Sequence, residues 1–137
     1  MAYLLDTNVV SELRKPHPDP HVAAWHARHV DDEAYLSTLV VGEIRQGIER
    51  IRTRDPRQAE ALELWLSGLL KAYRSRILPV TTDIADAWGR LNTPPQPPVI
   101  DGLMAATARV HRLTLVTRNV ADVAGTGVAV VNPFLPG

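Results

Sequence analysis

Four acidic side chains stand where their charge calls for a chemical explanation. Asp6 ends a short apolar segment, Asp101 opens a helix after a proline-rich loop, and Asp122 lies just past a predicted strand. Glu43 lies in an otherwise apolar stretch of a predicted helix, where an unpaired buried charge would be costly. In a parallel α/β sheet, ligands bind outside the carboxyl ends of the strands, where such junctions converge. The four carboxylates are therefore candidates for one shared site.

A shared carboxylate site has a chemical consequence. Carboxylates brought together repel one another, and one or more of them would take up a proton unless a cation neutralised them. Mg²⁺ and Mn²⁺ prefer oxygen ligands and often bind beside a substrate phosphate. Such a metal activates water and stabilises charge on a scissile phosphate. The alternative is that Asp6 and Asp101 serve only as helix caps, a common role of Asp.

An alternation of strands and helices must position these acids. The residue pattern predicts strands at 3–5, 34–37, 77–80, 114–117 and 128–131. It predicts helices at 7–13, 21–29, 38–51, 56–73 and 99–110, one from a cap at Thr82 or Asp83 to Leu91, and a short helix or turn at 119–123. This alternation is typical of an α/β domain with a central, mostly parallel β-sheet flanked by α-helices. We expect residues 1–137 to form a single domain.

The composition narrows the class of protein. The chain has 137 residues, of which 45% are hydrophobic and 22% are charged, as in an ordinary soluble globular domain. The absence of cysteine excludes disulfides, thiolate metal sites and a cysteine nucleophile. The first residues lack the pattern of a secretory signal, and no apolar run approaches the ~18 residues of a membrane helix. We therefore expect a cytoplasmic protein with no membrane contact.

Charge is balanced overall but not locally. The 15 basic and 15 acidic residues give a net charge of zero, which argues mildly against a protein that coats nucleic acid. Between Arg45 and Arg76, however, eight basic residues accompany four acidic ones, a local net charge of +4. This span is either a helical pair laced with salt bridges or a surface that faces a polyanion.

Five segments together resemble the PIN-domain family, and within it the VapC-type toxin ribonucleases of the FitB-like branch. Four of them match the family's motifs in order, and the fifth is similar to the ending of the FitB-like branch. The segments are 4–12 (LLDTNVVSE), 36–47 (LSTLVVGEIRQG), 99–108 (VIDGLMAATA), 115–122 (LVTRNVAD) and 130–134 (VVNPF). The resemblance implies a PIN-like fold and a Mg²⁺- or Mn²⁺-dependent endoribonuclease that hydrolyses RNA phosphodiester bonds by metal-activated water. It also implies the toxin of a type II toxin–antitoxin system.

The same resemblance assigns the catalytic and metal-binding acids. Asp6, Glu43 and Asp101 match the three core metal-site acids of the family. The fourth motif departs from an all-acidic version, because Asn119 stands where some relatives carry Asp. Asp122 matches another position where many relatives carry an acid, and we take it as the fourth acid. Whether one or two metal ions bind stays open.

Polar neighbours of these acids are expected to support the site. Thr7, Asn8, Thr117 and Asn119 would orient carboxylates or water. Arg118 is the basic residue most readily placed near a substrate phosphate, and its alternative role is a surface charge.

The resemblance also implies partners. The RNA substrate would be single-stranded or in a loop, because bases are accessible there. A small VapB-like antitoxin with a DNA-binding N-terminal part would bind the chain, which would form a homodimer and meet operator DNA only through that antitoxin. The alternative function is that of a FitB-like dimerising subunit of an antitoxin–operator DNA complex with little nuclease activity of its own.

The positions of two glycines and three tryptophans lead to further predictions. Gly42 and Gly47 lie inside a predicted helix, although Ala would favour that helix by about 1 kcal/mol at each position. They either allow close helix packing or keep the neighbouring carboxylate accessible. Trp25, Trp65 and Trp88 are expected in the core or in oligomer contacts rather than as platforms for base stacking.

Overall fold

The computed structural model describes residues 1–91 and 93–137. They form a five-stranded sheet with the strand order β3-β2-β1-β4-β5. The strands are β1 (Ala2–Leu5), β2 (Glu33–Ser37), β3 (Ile77–Leu78), β4 (Thr114–Val116) and β5 (Val130–Val131). Every neighbouring pair is parallel, which confirms the predicted α/β class.

Six α-helices and one 3-10 helix connect these strands in the described part of the chain. They are α1 (Thr7–Arg14), α2 (Pro20–Arg28), α3 (Thr38–Ile51), α4 (Pro56–Ala72), α5 (Thr82–Gly89), α6 (Val99–Val110) and the 3-10 helix Val120–Val123. The predicted bounds of α3 and α6 are confirmed. No described helix is long and apolar enough to span a membrane.

The predicted N-cap of α5 is wrong by one or two residues. The Thr81 hydroxyl, rather than Thr82 or Asp83, accepts a hydrogen bond from the backbone N–H of Ile84 at 3.3 Å. Because Thr81 has an extended backbone, it is the residue that can turn its side chain onto the first helical turn.

Strands β3 and β5 are shorter than predicted, with two residues each. Both are edge strands, so each has a single hydrogen-bonded neighbour. The ladder of β3 ends where Leu78 pairs with Ser37, and that of β5 spans Val130 and Val131. The apolar runs in the sequence predict where strands occur, but they do not predict where pairing with the neighbouring strand ends.

The core lies between the sheet and its flanking helices. The central strand β1 buries Tyr3, Leu4 and Leu5. Helix α3 buries Val40 and Ile44, together with Ile48, at intervals of four residues. This apolar stripe holds α3 against the sheet and so fixes the helix that carries Glu43.

A charged network joins α3 to α4. Arg45 donates two hydrogen bonds to the Glu63 carboxylate at 2.6 and 2.7 Å, and Arg52 donates to the same carboxylate at 2.8 Å. Arg45 and Arg52 also pair with Glu49. Part of the basic span is therefore the helical pair with salt bridges that its charge pattern allowed.

Two tryptophans lie at the core and one does not. Trp25 is buried, with its ring edge-on to Tyr3 at a centroid distance of 5.2 Å. Trp65 packs against the core while remaining partly accessible. Trp88 is 39% exposed, so it does not lie in the core, and the other predicted role, an oligomer contact, stays a prediction.

The two glycines of α3 are not packing contacts. A Cβ added at Gly42 or Gly47 would meet no atom within 4 Å outside its own neighbourhood. The close-packing interpretation is therefore wrong for both positions, and the surface beside Glu43 is open.

Candidate active site at the carboxyl edge of the sheet

An open cavity of about 530 Å³ lies at the carboxyl edge of the sheet and brings three of the four predicted acids together. Its walls are Asp6, Thr7, Asn8, Glu43, the segment 98–100, Asp101 and Asn119. These residues come from the end of β1 and the start of α1, from the first half of α3, from the start of α6 and from the loop after β4. This is the edge at which parallel α/β sheets bind ligands.

Asp6 is both a helix cap and a wall of the cavity. It follows β1 directly and is 5% exposed. Its Oδ1 accepts a hydrogen bond from the backbone N–H of Thr7 at 2.7 Å, which caps α1. Its Oδ2 accepts the Thr117 hydroxyl at 2.7 Å. The two interpretations of this residue are therefore compatible.

Glu43 reaches the cavity from α3. Its Oε1 accepts a hydrogen bond from the Thr7 hydroxyl at 2.5 Å. Thr7 thus contacts two acids, Asp6 through its backbone and Glu43 through its side chain. This bond fixes the carboxylate of Glu43 relative to the start of α1.

Asp101 lies in the first turn of α6 but does not cap it. The helix begins after Pro98, and no side chain caps it, so the helix-cap alternative is wrong for Asp101. Burial and, after it, the negative charges of Asp6, Asp122 and Glu43 in that order together raise the pKa of the Asp101 carboxyl to about 6. The rise in the pKa therefore has two causes, of which burial is the larger and the repulsion expected of clustered acids is the second.

Asp122 lies outside the cavity wall. It is on the 3-10 helix Val120–Val123 and is exposed, although its charge acts on Asp101. Asn119 occupies the wall instead, and its backbone N–H donates to the Thr117 hydroxyl at 3.0 Å. The cavity wall therefore contains the neutral amide of Asn119 where the carboxylate of Asp122 was expected.

The predicted polar neighbours form one connected network. Asn8 donates to the Thr117 hydroxyl at 3.4 Å and to Asp6 Oδ2 at 3.5 Å, the longest bonds of the set. The Asn8 side-chain oxygen accepts the backbone N–H of Arg118 at 3.2 Å. Asn8 therefore ties the loop after β4 to the start of α1.

Arg118 does not line the cavity, and its side chain packs on an aromatic ring near the end of the chain. Its guanidinium carbon lies 3.7 Å from the centroid of the Phe134 ring. Sequence reasoning assigns no role to Phe134, and its only signal is that it ends a segment that resembles the FitB-like branch.

The donor set decides which metal the site could hold. Among residues 1–91 and 93–137, no group of three Asp, Glu or His side chains stands close enough together to hold a metal ion. Mg²⁺ keeps several waters and is commonly bound by only one or two carboxylates. Carboxylate, amide and hydroxyl oxygens line the cavity, and they suit a hydrated Mg²⁺ or Mn²⁺ rather than a softer metal.

Fold and site together define the class. The chain is an α/β domain with a parallel sheet whose carboxyl edge presents clustered carboxylates to an open cavity. The family model described as PIN domain matches residues 3–121. The chain belongs to the PIN-domain family, as its motifs predict.

Individual relatives agree with this assignment over nearly their full length. The chain is 33% identical to Toxin FitB of Neisseria gonorrhoeae, with 96% of this chain and 97% of that protein covered. It is 33% identical to VapC ribonuclease Y4jK of Sinorhizobium fredii, with 97% and 98% covered. A solved structure of FitAB bound to an IR36 DNA fragment matches with a TM-score of 0.87 and 29% identity, covering 98% of this chain and 97% of that one. The predicted resemblance to the VapC and FitB proteins is confirmed.

Proposed function

We propose that this chain is a Mg²⁺- or Mn²⁺-dependent endoribonuclease and the toxin of a toxin–antitoxin pair. The observation that carries the proposal is the convergence of Asp6, Glu43 and Asp101 on one open cavity of a PIN domain. Two relatives, which are named as a toxin and a ribonuclease, support the same function.

Each acid has a distinct part in this proposal. Asp6 and Glu43 accept hydrogen bonds from the hydroxyls of Thr117 and Thr7, which hold both carboxylates in place at the cavity wall. Among the described residues, no hydrogen bond or ion pair holds Asp101, and its raised pKa makes it the acid that gains most from a nearby cation. A divalent cation, when bound, supplies a Lewis acid for the phosphate and lowers the pKa of water.

The shape and charge of the cavity favour an extended substrate. Its open walls can admit a single RNA strand, whose bases are accessible and whose backbone can bend. The acids would repel a phosphate unless a cation intervened, so binding and cleavage should both depend on divalent metal.

The test is cleavage of a mixed cellular RNA pool with Mn²⁺. The wild type should cleave, and Asp6→Ala should not. Glu60→Ala is the matched control, because Glu60 is an exposed acid on α4 outside the cavity, and it should cleave like the wild type. EDTA should abolish cleavage and excess Mn²⁺ should restore it. Cleavage that persists in EDTA, or equal cleavage by Asp6→Ala, would contradict the proposal.

We propose Asp122 as the fourth acid, acting through solvent from outside the cavity wall. The support is that its charge reaches Asp101. Asp122→Asn should raise the Mn²⁺ concentration needed for half-maximal cleavage, while Asn119→Ala should leave that concentration nearer to the wild-type value. A larger increase for Asn119→Ala than for Asp122→Asn would assign the fourth position of the metal site to Asn119.

The likeness to the FitAB–DNA structure supports a partner as well. We propose that a homodimer of this chain binds a small VapB-like antitoxin and meets operator DNA only through it. In a gel-shift assay, the chain alone should not retard its operator DNA and the complex should. RNA and operator DNA as targets imply a cytoplasmic location.

The same likeness favours one alternative function. If the purified chain forms the DNA-binding complex but cleaves no RNA with Mn²⁺, it is a dimerising subunit with little nuclease activity of its own.

A further inference from the structure

The backbone of Arg118 is fixed to the candidate active site on both sides. Its own N–H donates to the side-chain oxygen of Asn8 at 3.2 Å. The preceding residue, Thr117, donates its hydroxyl to Asp6, and the following residue, Asn119, lines the cavity. Arg118 therefore projects from the rim of the acidic cavity and not from a remote surface.

The side chain of Arg118 is held by an aromatic ring. Its guanidinium carbon lies 3.7 Å from the centroid of Phe134, well inside the ~6 Å range of a cation–π contact. Phe134 is itself anchored, because its ring packs against the core and its backbone N–H donates to Asn132 Oδ1 at 3.0 Å. Stacking engages one face of the guanidinium and leaves its edge of N–H donors available.

The arginines that donate hydrogen bonds or form ion pairs differ from Arg118. Arg45 and Arg52 pair with glutamates, Arg90 pairs with Asp86, and Arg109 donates to the carbonyl oxygen of Thr126. Arg14 is more similar, because its guanidinium lies 5.7 Å from the centroid of Trp65, but it stands at the opposite end of α1 from Asp6. Across residues 1–91 and 93–137, the Arg118 guanidinium makes no ion pair and no hydrogen bond. The Phe134 ring orients this cation, and its N–H donors have no protein acceptor among those residues.

We propose that Arg118, held by Phe134, binds the RNA phosphate next to the scissile one. The inference rests on the proposed nuclease function and names the contact that positions the strand. A guanidinium edge matches phosphate oxygens in a bidentate manner, and a chain with zero net charge needs a local cation to attract a polyanion. Phe134 acts as a positioning residue, because it touches the guanidinium rather than the RNA.

The first test measures RNA binding without cleavage. An Asp101→Asn background, which the proposed function predicts to be inactive, is titrated with fluorescently labelled single-stranded RNA in Mg²⁺ at several salt concentrations. Adding Arg118→Ala should raise Kd by at least about tenfold, as expected for a lost charge-assisted contact. It should also reduce the slope of log K against log salt by about 0.7, the value for one phosphate contact on a single strand.

The matched control is Arg112→Ala. Arg112 is also exposed and basic, but it precedes β4 and so lies at the opposite edge of the sheet. It should change neither Kd nor the salt slope. Equal effects of Arg118→Ala and Arg112→Ala would overturn the proposal.

Phe134→Leu removes the ring that orients Arg118 but keeps the charge of Arg118. It should raise Kd about two- to fivefold through loss of the cation–π contact while leaving the salt slope unchanged. In the metal-active chain, Arg118→Ala should raise KM more than it lowers kcat. Thermal unfolding of each variant checks that the fold persists. An unchanged Kd in Phe134→Leu would remove Phe134 from the proposal.

The two levels of proposal can fail separately. If the wild type cleaves RNA and Arg118→Ala cleaves with the same KM, the nuclease stands and the phosphate contact is overturned. If the wild type neither cleaves nor binds RNA, both fail together.

Discussion

The Thr117 hydroxyl donates a 2.7 Å hydrogen bond to Asp6 Oδ2, although the two residues lie 111 positions apart. Thr117 follows β4 and Asp6 follows β1, which are neighbouring parallel strands. Both side chains are buried, at 1% and 5% exposure. The bond therefore joins two strand ends beside the cavity, while the other oxygen of Asp6 caps α1.

Removing this hydroxyl should destabilise the fold. Thr117→Val keeps the shape of the side chain but leaves Asp6 Oδ2 without its short hydrogen bond, and a buried bond to a charged group contributes about 1.5–3 kcal/mol. Thr117→Ser retains the hydroxyl and serves as the control. Urea unfolding measures the free energy of unfolding of both. Equal values for the Val and Ser variants would mean that the bond contributes nothing to stability.

The predictable part of this molecule follows from local pattern and from one topological rule. The apolar spacing of α3 and the proline before α6 predicted both helices to the residue. The rule that strand ends meet at one edge placed Asp6 near Asp101, and the cavity contains both. These inferences need no knowledge of how the helices pack.

The unpredicted part depends on side-chain directions that only tertiary packing determines. No spacing rule indicates that the Thr7 hydroxyl would meet Glu43, because α1 and α3 are distant in sequence. The 3-10 helix turns Asp122 toward solvent, and a three-residue interval alone does not reveal that turn. The contact of Arg118 with Phe134 depends in the same way on the path taken after β5.

The clustered acids should make stability depend on pH near Asp101. Its pKa is raised to about 6 from an ordinary 3.8, so the folded state holds this proton more tightly than the unfolded state does. The ionised carboxyl of Asp101 therefore lowers the free energy of unfolding most above about pH 6. This destabilisation disappears as the pH falls toward 3.8, because the carboxyl takes up its proton in the folded state. Asp101→Asn, which stays neutral, should have a higher Tm than the wild type at pH 8 in EDTA.

The difference in Tm between the wild type and Asp101→Asn should disappear at pH 4, where Asp101 of the wild type is largely protonated. Scanning calorimetry across that range measures it. Mn²⁺ should raise the Tm of the wild type more than that of Asp101→Asn, because a cation relieves the repulsion only where the charge is present. A Tm for Asp101→Asn below that of the wild type at pH 8 would show that the carboxylate stabilises the fold instead.

The network between α3 and α4 should have the opposite pH dependence. Hydrogen bonds from Arg45, and then from Arg52, lower the pKa of Glu63 from 4.5 to about 2. A lowered pKa means that its contribution is present above pH 4.5 and is lost as the pH falls toward 2. Glu63→Gln should therefore lower Tm modestly at pH 7, and the difference should shrink between pH 4.5 and 2.

Glu60→Gln, on the same exposed helix, is the control for Glu63→Gln. It should leave Tm unchanged at pH 7. High salt should reduce the effect of Glu63→Gln, since these side chains are partly exposed and therefore screened. An effect that is as large at pH 2 as at pH 7 would contradict an ionic origin.

Glycine substitutions should separate open positions from crowded ones. A Cβ at Gly47 would meet no atom within 4 Å, so Gly47→Ala should raise the free energy of unfolding by up to about 1 kcal/mol through helix propensity. A Cβ at Gly102 would lie 3.1 Å from two ring atoms of Trp88 and 3.4 Å from Pro97. The Trp88 ring must shift to admit this Cβ, so Gly102→Ala should cost about 1–3 kcal/mol by overpacking.

This crowding bears on the site because Gly102 follows Asp101 directly. Displacing Trp88 would shift the start of α6, so Gly102→Ala should also reduce RNA cleavage, while Gly47→Ala should leave cleavage unchanged. The double variant Gly102→Ala with Trp88→Leu, which removes the rigid ring, should recover part of both losses. If Gly102→Ala alone is as stable and as active as Gly47→Ala, close packing of Trp88 on α6 does not constrain the position of Asp101.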